Sequence, residues 1–330
     1  MTTPPPTPTE VSDVLCSLQE RFGWESDATR FEATARWQRR SGAAFYRMIG
    51  SPGGMEAVVK VGTSWEPGHA QRVFRSMVDL EQLIDAAGID GGHAIRPMGW
   101  ADDPPSIVMP YVEGSDLVSI LRDPTDPAWE VDRSILRSWM VSAGAMLAAY
   151  HGTGDPCSHE EIEAAGANVL HLARQMLVSK SSIMRVMSAA DWRHRCAGLF
   201  GDFGPGNLLG APDGDLFLLD PPHRRRADLI HRDIANFTFE MRRQLAGHGY
   251  TSSRPVRRRF PEMRSSFLSG YAGASNHGGL DRDDEALIAL FELRRAGGMA
   301  RKRWPGRPRD SAWFAGSALV RRLELARLRA

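Results

Sequence analysis

The chain has 330 residues with 42% hydrophobic content and a formal net charge of +1, so it can bury one large core or two smaller ones. Three cysteines without paired spacing, Cys16, Cys157 and Cys196, argue against a disulfide scaffold or a zinc site and favour a reducing cytoplasm. The opening MTTPPPTPTE lacks the regions of a signal peptide, and the nearly apolar run 139–150 is too short to span a bilayer.

The N-terminal part is predicted to form a small sheet and one long helix. A Pro/Thr-rich tail at 1–10 is expected to be disordered, and a short amphipathic helix follows at 11–23. Apolar runs bounded by turn residues then predict three strands, at 29–37, 44–49 and 56–61. An apolar stripe at helical spacing predicts a helix over 67–87, which Gly88 ends.

Lys60 stands out in the third predicted strand. It lies among Val58, Val59 and Val61, and no other lysine precedes Lys180. A lysine in an apolar strand must either reach the solvent face or meet a counter-charge, because an unpaired buried charge is costly. An edge strand with a solvated lysine is therefore the alternative to a binding role.

The middle of the chain is predicted to contain a strand and several helices. Residues 106–117 suggest a strand that runs into a polar linker, and residues 134–150 suggest a buried helix. His151 follows that helix and is expected to be a structural capping residue. Residues 155–197 are expected to be helical.

The segment 201–220, GDFGPGNLLGAPDGDLFLLD, carries the clearest chemistry. Asp202, Asn207 and Asp220 follow one another at intervals of five and thirteen residues. Two carboxylates and an amide suit the binding of a magnesium nucleotide beside a substrate hydroxyl, since Mg²⁺ prefers oxygen ligands. We expect Asp202 to accept the hydroxyl proton as the catalytic residue, and Asn207 and Asp220 to bind the metal.

The local structure expected for this segment agrees with that chemistry. Residues 203–206, Phe-Gly-Pro-Gly, predict a tight loop that is not helical. Asp213-Gly214 predicts a hairpin turn between 207–209 and 216–219. Such a hairpin would return Asp220 toward Asn207. An ordinary surface hairpin with acidic ends is the alternative interpretation.

These residues resemble the catalytic and metal-binding segment of the aminoglycoside phosphotransferase and choline kinase family, small-molecule kinases with a protein-kinase-like fold. The family pattern is His-Gly-Asp, an Asn five residues later, and a hairpin that ends in a second Asp. The chain keeps Gly201, Asp202, Asn207 and Asp220, but Phe200 replaces the usual histidine. The resemblance extends over residues 25–240.

The resemblance implies an α+β class and a bilobal protein-kinase-like fold, with a small antiparallel-sheet N-lobe and a mostly helical C-lobe. The expected organisation is a disordered tail, an N-lobe, a hinge between the lobes and a C-lobe that carries the catalytic and metal loops. The corresponding boundaries are 1–10, 11–109, 110–116 and 117–330.

The resemblance also implies a nucleotide site for ATP and Mg²⁺. Lys60 would grip the α- and β-phosphates, paired with an acidic residue of the first long helix, for which Glu81 is preferred over Asp79. A Gly-containing loop would cover the phosphates, and hinge residues would cover the adenine. The residues assigned to these last two roles are Ser41 and Gly42, and Met109, Tyr111 and Val112.

A later segment resembles the part of the family fold in which an aspartate at the start of a helix tethers the catalytic loop. Asp233 is the candidate for that structural role. The arginine-rich run 223–226 before it would contact substrate or cap the rim of the site.

The sequence therefore predicts an ATP-dependent phosphotransferase that acts on a hydroxyl of a small molecule. The alternative is a nucleotide-binding pseudokinase or scaffold, suggested by Phe200 and the sparse glycine loop. Residues 1–220 carry a net charge of −11 and residues 221–330 one of +12. This basic C-terminal part could contact an anionic surface. An amphipathic helix predicted at 311–329 is expected to pack its apolar face on the C-lobe, with interfacial membrane binding as the alternative.

The same charge distribution bears on the acceptor. Family sites for cationic aminoglycosides are rich in acidic residues, so the basic C-terminal part favours a neutral or anionic acceptor such as a sugar or glycan precursor. An antibiotic-like acceptor stays open, no nucleic-acid partner is expected, and the sequence leaves the oligomeric state unassigned.

Overall fold

A computed structural model of the chain describes most residues between Glu32 and Arg303. The described ranges are 32–39, 43–49, 56–62, 65–122, 133–153, 157–176, 184, 192–222, 227–246, 254–276 and 278–303. The predicted tail, the helix at 11–23, the C-terminal helix, the Ser41-Gly42 loop and the arginine run 223–226 lie outside these residues. The chain divides into two compact units. The first comprises Met1–Ala86, His93–Glu113 and Leu219–Pro221, and the second comprises Ala87–Gly92, Gly114–Leu218 and Pro222–Ala330.

The first unit contains an antiparallel five-stranded sheet. Its strands are β1 (Glu32–Arg39), β2 (Ala43–Ile49), β3 (Glu56–Gly62), β5 (Gly99–Asp102) and β6 (Pro105–Pro110), in the spatial order β1-β2-β3-β6-β5. A further short strand, β4 (Gly92–Ala94), spans the boundary between the units along the chain. β3 lies between β2 and β6 in the interior of the sheet. Its alternating residues Val59 and Val61 are fully buried.

Helix α1 (His69–Ala87) completes the first unit, and its last residue belongs to the second. Its buried side chains include Met77, Leu80 and Ile84, which recur at the spacing of one helix face. Gly88 follows the helix with a φ of 58°, the left-handed conformation that commonly ends a helix.

The second unit is mostly helical. Its helices are α2 (Leu117–Arg122), α3 (Arg133–His151), α4 (His159–Gln175), α5 (His231–Leu245), α6 (Arg254–Ala274) and α7 (Arg282–Arg303). Short antiparallel strands connect them. These are β7 (Ser115–Asp116), β8 (Cys196–Gly198), β9 (Leu208–Gly210), β10 (Leu216–Leu218) and β11 (Ala227–Leu229), which pair as β7-β9-β10 and as β8-β11.

Helices α3 and α6 touch backbone to backbone at two glycines. A Cβ atom added at Gly144 would lie 2.0 Å from the carbonyl oxygen of Phe267, and one at Gly270 would lie 2.0 Å from that of Val141. No side chain larger than hydrogen fits at either position without moving a helix. The two glycines therefore set the distance between these helices.

The fold class predicted from the sequence is confirmed, with an antiparallel sheet in the first unit and a mostly helical second unit. Two local expectations are wrong. Residues 155–197 are not helical throughout, because α4 ends at Gln175 and Cys196–Gly198 pairs with β11 as a strand. Pro205–Asn207 forms one turn of 3₁₀ helix within the segment expected to be non-helical, since proline is well tolerated at a first helical position.

No helix among the residues that the structure describes is both long enough and apolar enough to cross a membrane.

Candidate active site

Lys60 lies in the interior of the first unit's sheet. Its strand neighbours are Phe45 on β2 and Ile107 on β6, so the edge-strand interpretation is wrong. The residue is 8% exposed, and its Nζ donates a hydrogen bond of 2.6 Å to Oδ1 of Asp220. The Phe45 and Trp65 rings lie 5.6 and 5.9 Å from Nζ. The lysine thus meets the counter-charge that an apolar strand demands.

Asp220 is the partner of Lys60 in place of the expected acid of helix α1. Glu81 is also buried, but its Oε1 lies 3.5 Å from Nη1 of Arg96, an arginine whose side chain is largely exposed. The expected pairing of Lys60 with Glu81 or Asp79 is therefore corrected to a pairing with Asp220. The structure shows no role for Glu81 in binding a nucleotide, and that part stays a prediction.

The residues predicted to cover an adenine lie at the end of β6 and just after it. Met109 is buried, and Tyr111 and Val112 are half-buried. The backbone N–H of Tyr111 donates to the carbonyl of Glu56 at 2.9 Å, and the guanidinium of Arg47 stacks 3.8 Å above the Tyr111 ring. The Tyr111 ring is thus held in place, and its contact with an adenine stays a prediction.

In the second unit, Asp233 fixes the backbone that precedes Asp202. Asp233 is fully buried in the first turn of α5, and its carboxylate accepts hydrogen bonds from the N–H groups of Phe200, at 2.6 Å, and Gly201, at 3.1 Å. This confirms the tethering role predicted for Asp233. Gly201 has a φ of 88°, a conformation that a side chain would disfavour, and Asp202 follows as an exposed residue.

A buried histidine and a buried tyrosine extend the support of this loop. The Nε2 atom of His151, at the end of α3, lies 3.2 Å from Oδ2 of Asp233, and its Nδ1 lies 2.8 Å from the hydroxyl of Tyr271 on α6. A carboxylate only accepts, so Nε2 donates to Asp233, and Nδ1 forms a hydrogen bond with the hydroxyl of Tyr271. Burial raises the pKa of Tyr271, so its hydroxyl stays protonated.

These contacts confirm His151 as a structural residue and add Tyr271, which the sequence analysis did not find. Tyr271 lies 120 residues from His151 along the chain, and no local pattern marks it. Its position one residue after Gly270, at the glycine contact of α3 and α6, is the signal that could have identified it.

Phe200 places a buried aromatic ring directly before the Gly201-Asp202 pair. Its ring packs edge-on against Tyr150, at 5.1 Å between centroids, and against Phe203, at 5.3 Å. The row continues through Phe237 to Phe267, whose rings are stacked at 4.2 Å. Aromatic packing therefore holds the side chain of the loop, while Asp233 holds its backbone.

Asn207 lies at the end of the 3₁₀ turn and bonds back to the loop. Its side-chain nitrogen donates to the backbone carbonyl of Asp202 at 2.9 Å, and its backbone N–H donates to that of Gly204 at 2.9 Å. Because the amide nitrogen is used in this way, the amide oxygen is directed elsewhere and can act as a ligand.

The predicted hairpin after Asn207 is confirmed. Leu208 pairs with Leu218, and Gly214 in the turn has a φ of 99°. The indole N–H of Trp139 on α3 donates to the carbonyl of Gly214 at 2.8 Å, which anchors the turn to the helical core.

A magnesium site at Asn207 and Asp220 stays a prediction, and the donor atoms of these two side chains suit the ion. An amide oxygen and a carboxylate are the hard ligands that Mg²⁺ takes from a protein, usually few in number. Among the described residues, no cluster of three or more His, Cys, Asp or Glu side chains could hold a metal. A site with one carboxylate, one amide and nucleotide phosphates does not need such a cluster.

No family model matches the chain, and no curated protein matches its sequence. Among solved structures, a candidate fructosamine-3-kinase from Haemophilus somnus 129PT has 11% identity and a TM-score of 0.51, with 96% of each chain covered. An ethanolamine kinase from Plasmodium vivax has 12% identity and a TM-score of 0.49, with 98% of this chain and 91% of that chain covered.

The first of these similarities establishes the fold. The chain has the fold of the protein-kinase-like small-molecule kinases, as its sequence motifs led us to expect. At 11% identity this similarity concerns the fold alone. The chemistry proposed below is therefore based on the residues of this chain.

Proposed function

We propose that the chain is a phosphotransferase that uses ATP and Mg²⁺ and moves the γ-phosphate to a hydroxyl of a small molecule. The observation that carries the proposal is the buried Asp233 carboxylate, which holds the N–H groups of Phe200 and Gly201 and thereby presents Asp202 at the surface. A carboxylate held on a fixed backbone suits a base that must meet one hydroxyl in one orientation.

Each residue of the proposed site has one task. Asp202 accepts the proton of the acceptor hydroxyl, and the bond from Asn207 to its carbonyl keeps the loop closed. Lys60 binds phosphate oxygens, and Asn207 and Asp220 would hold Mg²⁺. The ion would neutralise charge on the phosphates, which is most of what phosphoryl transfer requires besides positioning.

The Lys60–Asp220 pair supports these assignments. A lysine that binds phosphate and a carboxylate that binds a metal carry opposite charges, and the structure places these two 2.6 Å apart in the first unit. Their side chains are only 10% and 20% exposed, which strengthens their interaction with charged ligands.

We further propose that the acceptor is a neutral or anionic metabolite, such as a sugar or glycan precursor, and that the protein acts in the cytoplasm. The excess of 12 basic residues in 221–330 supports the first proposal, and the spacing of the cysteines supports the second. A panel of hydroxylated acceptors, including antibiotics, with mass spectrometry of the products would identify the substrate.

The test of the proposed reaction compares Asp202→Asn with Asp213→Asn. Both make the same chemical change in one segment, and Asp213 lies in the hairpin turn, where its side chain accepts a bond from the N–H of Asp215. We expect Asp202→Asn to lower turnover by about 100- to 10,000-fold, the usual contribution of a general base. MgATP affinity should stay within about twofold, because Asp202 is assigned to the acceptor. Asp213→Asn should keep full activity.

Near-normal turnover in Asp202→Asn would contradict the assignment of the base. A wild-type protein that binds MgATP but phosphorylates no acceptor in a broad panel would instead favour the pseudokinase alternative.

A further inference from the structure

The indole ring of Trp65 lies across the end of strand β3. A Cβ atom added at Gly62, the last residue of that strand, would lie 2.1 Å from Cγ and Cδ2 of the ring and 2.7 Å from Cδ1. No side chain fits at such distances, so only glycine at position 62 leaves room for the ring. The φ of Gly62 lies outside the left-handed region, so the requirement is one of space and not of backbone conformation.

The chain that follows β3 also holds this ring. The rings of Trp65 and His69 are tilted against each other with their centroids 4.8 Å apart, and His69 is the first residue of α1. The N–H of His69 donates to the carbonyl of Glu66 at 3.0 Å, which closes the turn between the two aromatic residues. The half-buried Trp65 is therefore in contact with both the strand and the start of the helix.

The same ring reaches the ammonium group of Lys60. Lys60 and Gly62 are two residues apart on β3, so they lie on one face of the sheet. Nζ of Lys60 is 5.9 Å from the centroid of Trp65 and 5.6 Å from that of Phe45, which pairs with Lys60 across β2 and β3. Both distances lie within the roughly 6 Å at which an aromatic face attracts a cation, and tryptophan attracts it most strongly.

We propose, on the basis of the function proposed above, that Trp65 is a positioning residue that keeps Lys60 in place for nucleotide phosphates. In that function Lys60 binds phosphate oxygens and Asp220 holds Mg²⁺. A carboxylate that shares its charge with a divalent ion attracts a lysine less strongly, so the 2.6 Å bond to Asp220 would hold Lys60 less firmly once the ion is bound. An indole ring does not bind Mg²⁺, so its attraction for the ammonium group persists.

The first test follows Lys60 by NMR in the full-length protein and needs no enzymatic activity. The chain has three lysines, Lys60, Lys180 and Lys302, so labelling with ¹³C-lysine gives three ε-methylene signals, and Lys60→Arg identifies the signal of Lys60. Protons above an aromatic face are shielded by its ring current. The Lys60 signal should therefore move to higher chemical shift in Trp65→Leu, which keeps apolar bulk without a ring, and should move less in Trp65→Phe.

A second variant tests the same contact from the strand. Gly62→Ala must displace the ring, because the three atoms nearest to the added methyl group all belong to Trp65. The Lys60 signal should then move in the same direction as in Trp65→Leu, and the double variant should give the signal of Trp65→Leu alone. Trp100→Leu is the control, since it removes a half-buried tryptophan from β5, which β6 separates from β3, and should shift the signal far less.

The affinity for MgADP, measured by calorimetry, tests the consequence for the nucleotide. Trp65→Leu should weaken binding by about five- to tenfold and Trp65→Phe by about twofold, the effect of losing or weakening an aromatic contact with a partly desolvated cation. The KM for ATP should rise by the same factors while kcat changes by less than about twofold, because Trp65 is assigned to nucleotide binding and not to the acceptor.

An unchanged Lys60 signal in Trp65→Leu and Gly62→Ala would overturn the role of Trp65, and so would equal MgADP affinities of the wild type and Trp65→Leu. If Trp65→Leu does not fold, Gly62→Ala and Trp65→Phe provide the same comparison. A wild type that binds MgADP but phosphorylates no acceptor would contradict the proposed reaction alone, because the NMR signal and the MgADP affinity still decide the role of Trp65.

Discussion

The loop before Asp202 and the Lys60–Asp220 pair are held in different ways. In the second unit, Asp233 and His151 are buried and joined by directional hydrogen bonds to the backbone of the loop and to Tyr271. In the first unit, one ion pair between partly exposed side chains positions Lys60. Directional hydrogen bonds thus hold the loop, whereas an ion pair mainly holds the lysine.

The difference teaches which part of the proposed site can exchange partners. Breaking the buried bonds of Asp233 would leave N–H groups without water or acceptor, so that arrangement is fixed. The lysine and its carboxylate are joined by one ion pair, and a phosphate on the lysine or a metal on the carboxylate would replace the charge that each gives up. The proposed base is thus preorganised, while the charges proposed to bind a nucleotide are exchangeable.

The largest effect is expected from Asp233→Asn. An amide cannot accept the bonds from Phe200, Gly201 and His151 without turning a donor toward one of them, so the variant should lose about 3–5 kcal/mol of unfolding free energy. Chemical denaturation measures the loss. Asp85→Asn, the same change at an exposed position of α1, should stay within about 0.5 kcal/mol. Equal stabilities of the two variants would contradict the buried support.

A somewhat smaller effect is expected where α3 and α6 meet. Gly270→Ala places a methyl group 2.0 Å from the carbonyl oxygen of Val141 and should cost about 3 kcal/mol, with loss of the adjacent Tyr271–His151 bond. Gly273→Ala, on the same helix, meets no atom within 4 Å and should leave stability unchanged or slightly raised. Thermal unfolding of both variants distinguishes the steric clash between α3 and α6 from the general effect of replacing a glycine within a helix.

A pH-dependent effect is expected from Asp284, another buried acid of the second unit. Burial acts to raise its pKa, but the hydrogen bond and charge of His231 and the charge of Arg195 outweigh it, so the pKa is lowered from 3.8. Its stabilisation should be present above pH 3.8 and be lost as pH falls through the lower folded value. At pH 7, Asp284→Asn should cost about 2 kcal/mol in urea unfolding, and the difference should shrink in acid.

The neighbouring Asp283 provides the opposite control. Burial and the charges of Asp281 and Asp284 raise the pKa of Asp283, so its ionised form opposes folding. Asp283→Asn should therefore raise stability slightly at neutral pH, where Asp283 is ionised, and have no effect in acid. A fall in stability at neutral pH for this variant would show that ionised Asp283 stabilises the folded protein, contrary to this prediction.

The smallest effect is expected at the charge pair of the first unit. A double-mutant cycle with Lys60→Met and Asp220→Asn should give a coupling of about 1 kcal/mol in unfolding free energy, within the range for two side chains in contact, and 1 M salt should reduce it only in part. Lys60→Met should also raise the ATP requirement. A coupling above about 3 kcal/mol that is insensitive to salt would remove the contrast between the two regions.

Much of the fold and the loop tether could be predicted from the sequence. Strand and helix positions followed from apolar spacing, whereas the fold class and the tethering role of Asp233 followed from the resemblance to a known family. The partner of Lys60 could not be predicted, since Asp220 lies 160 residues away. The contact of Tyr271 with His151 likewise arises only when distant segments pack together.

Phe200 has a consequence for how kinetics on this protein can be interpreted. Within the heptapeptide Phe200–Gly206, Asp202 is the one side chain able to exchange a proton with water, because the aromatic ring carries none. A histidine at position 200 would add an ionisation near neutral pH to any rate profile. Phenylalanine at position 200 adds no such ionisation, so an acid limb of kcat against pH would report more directly on the carboxylate proposed to accept the proton.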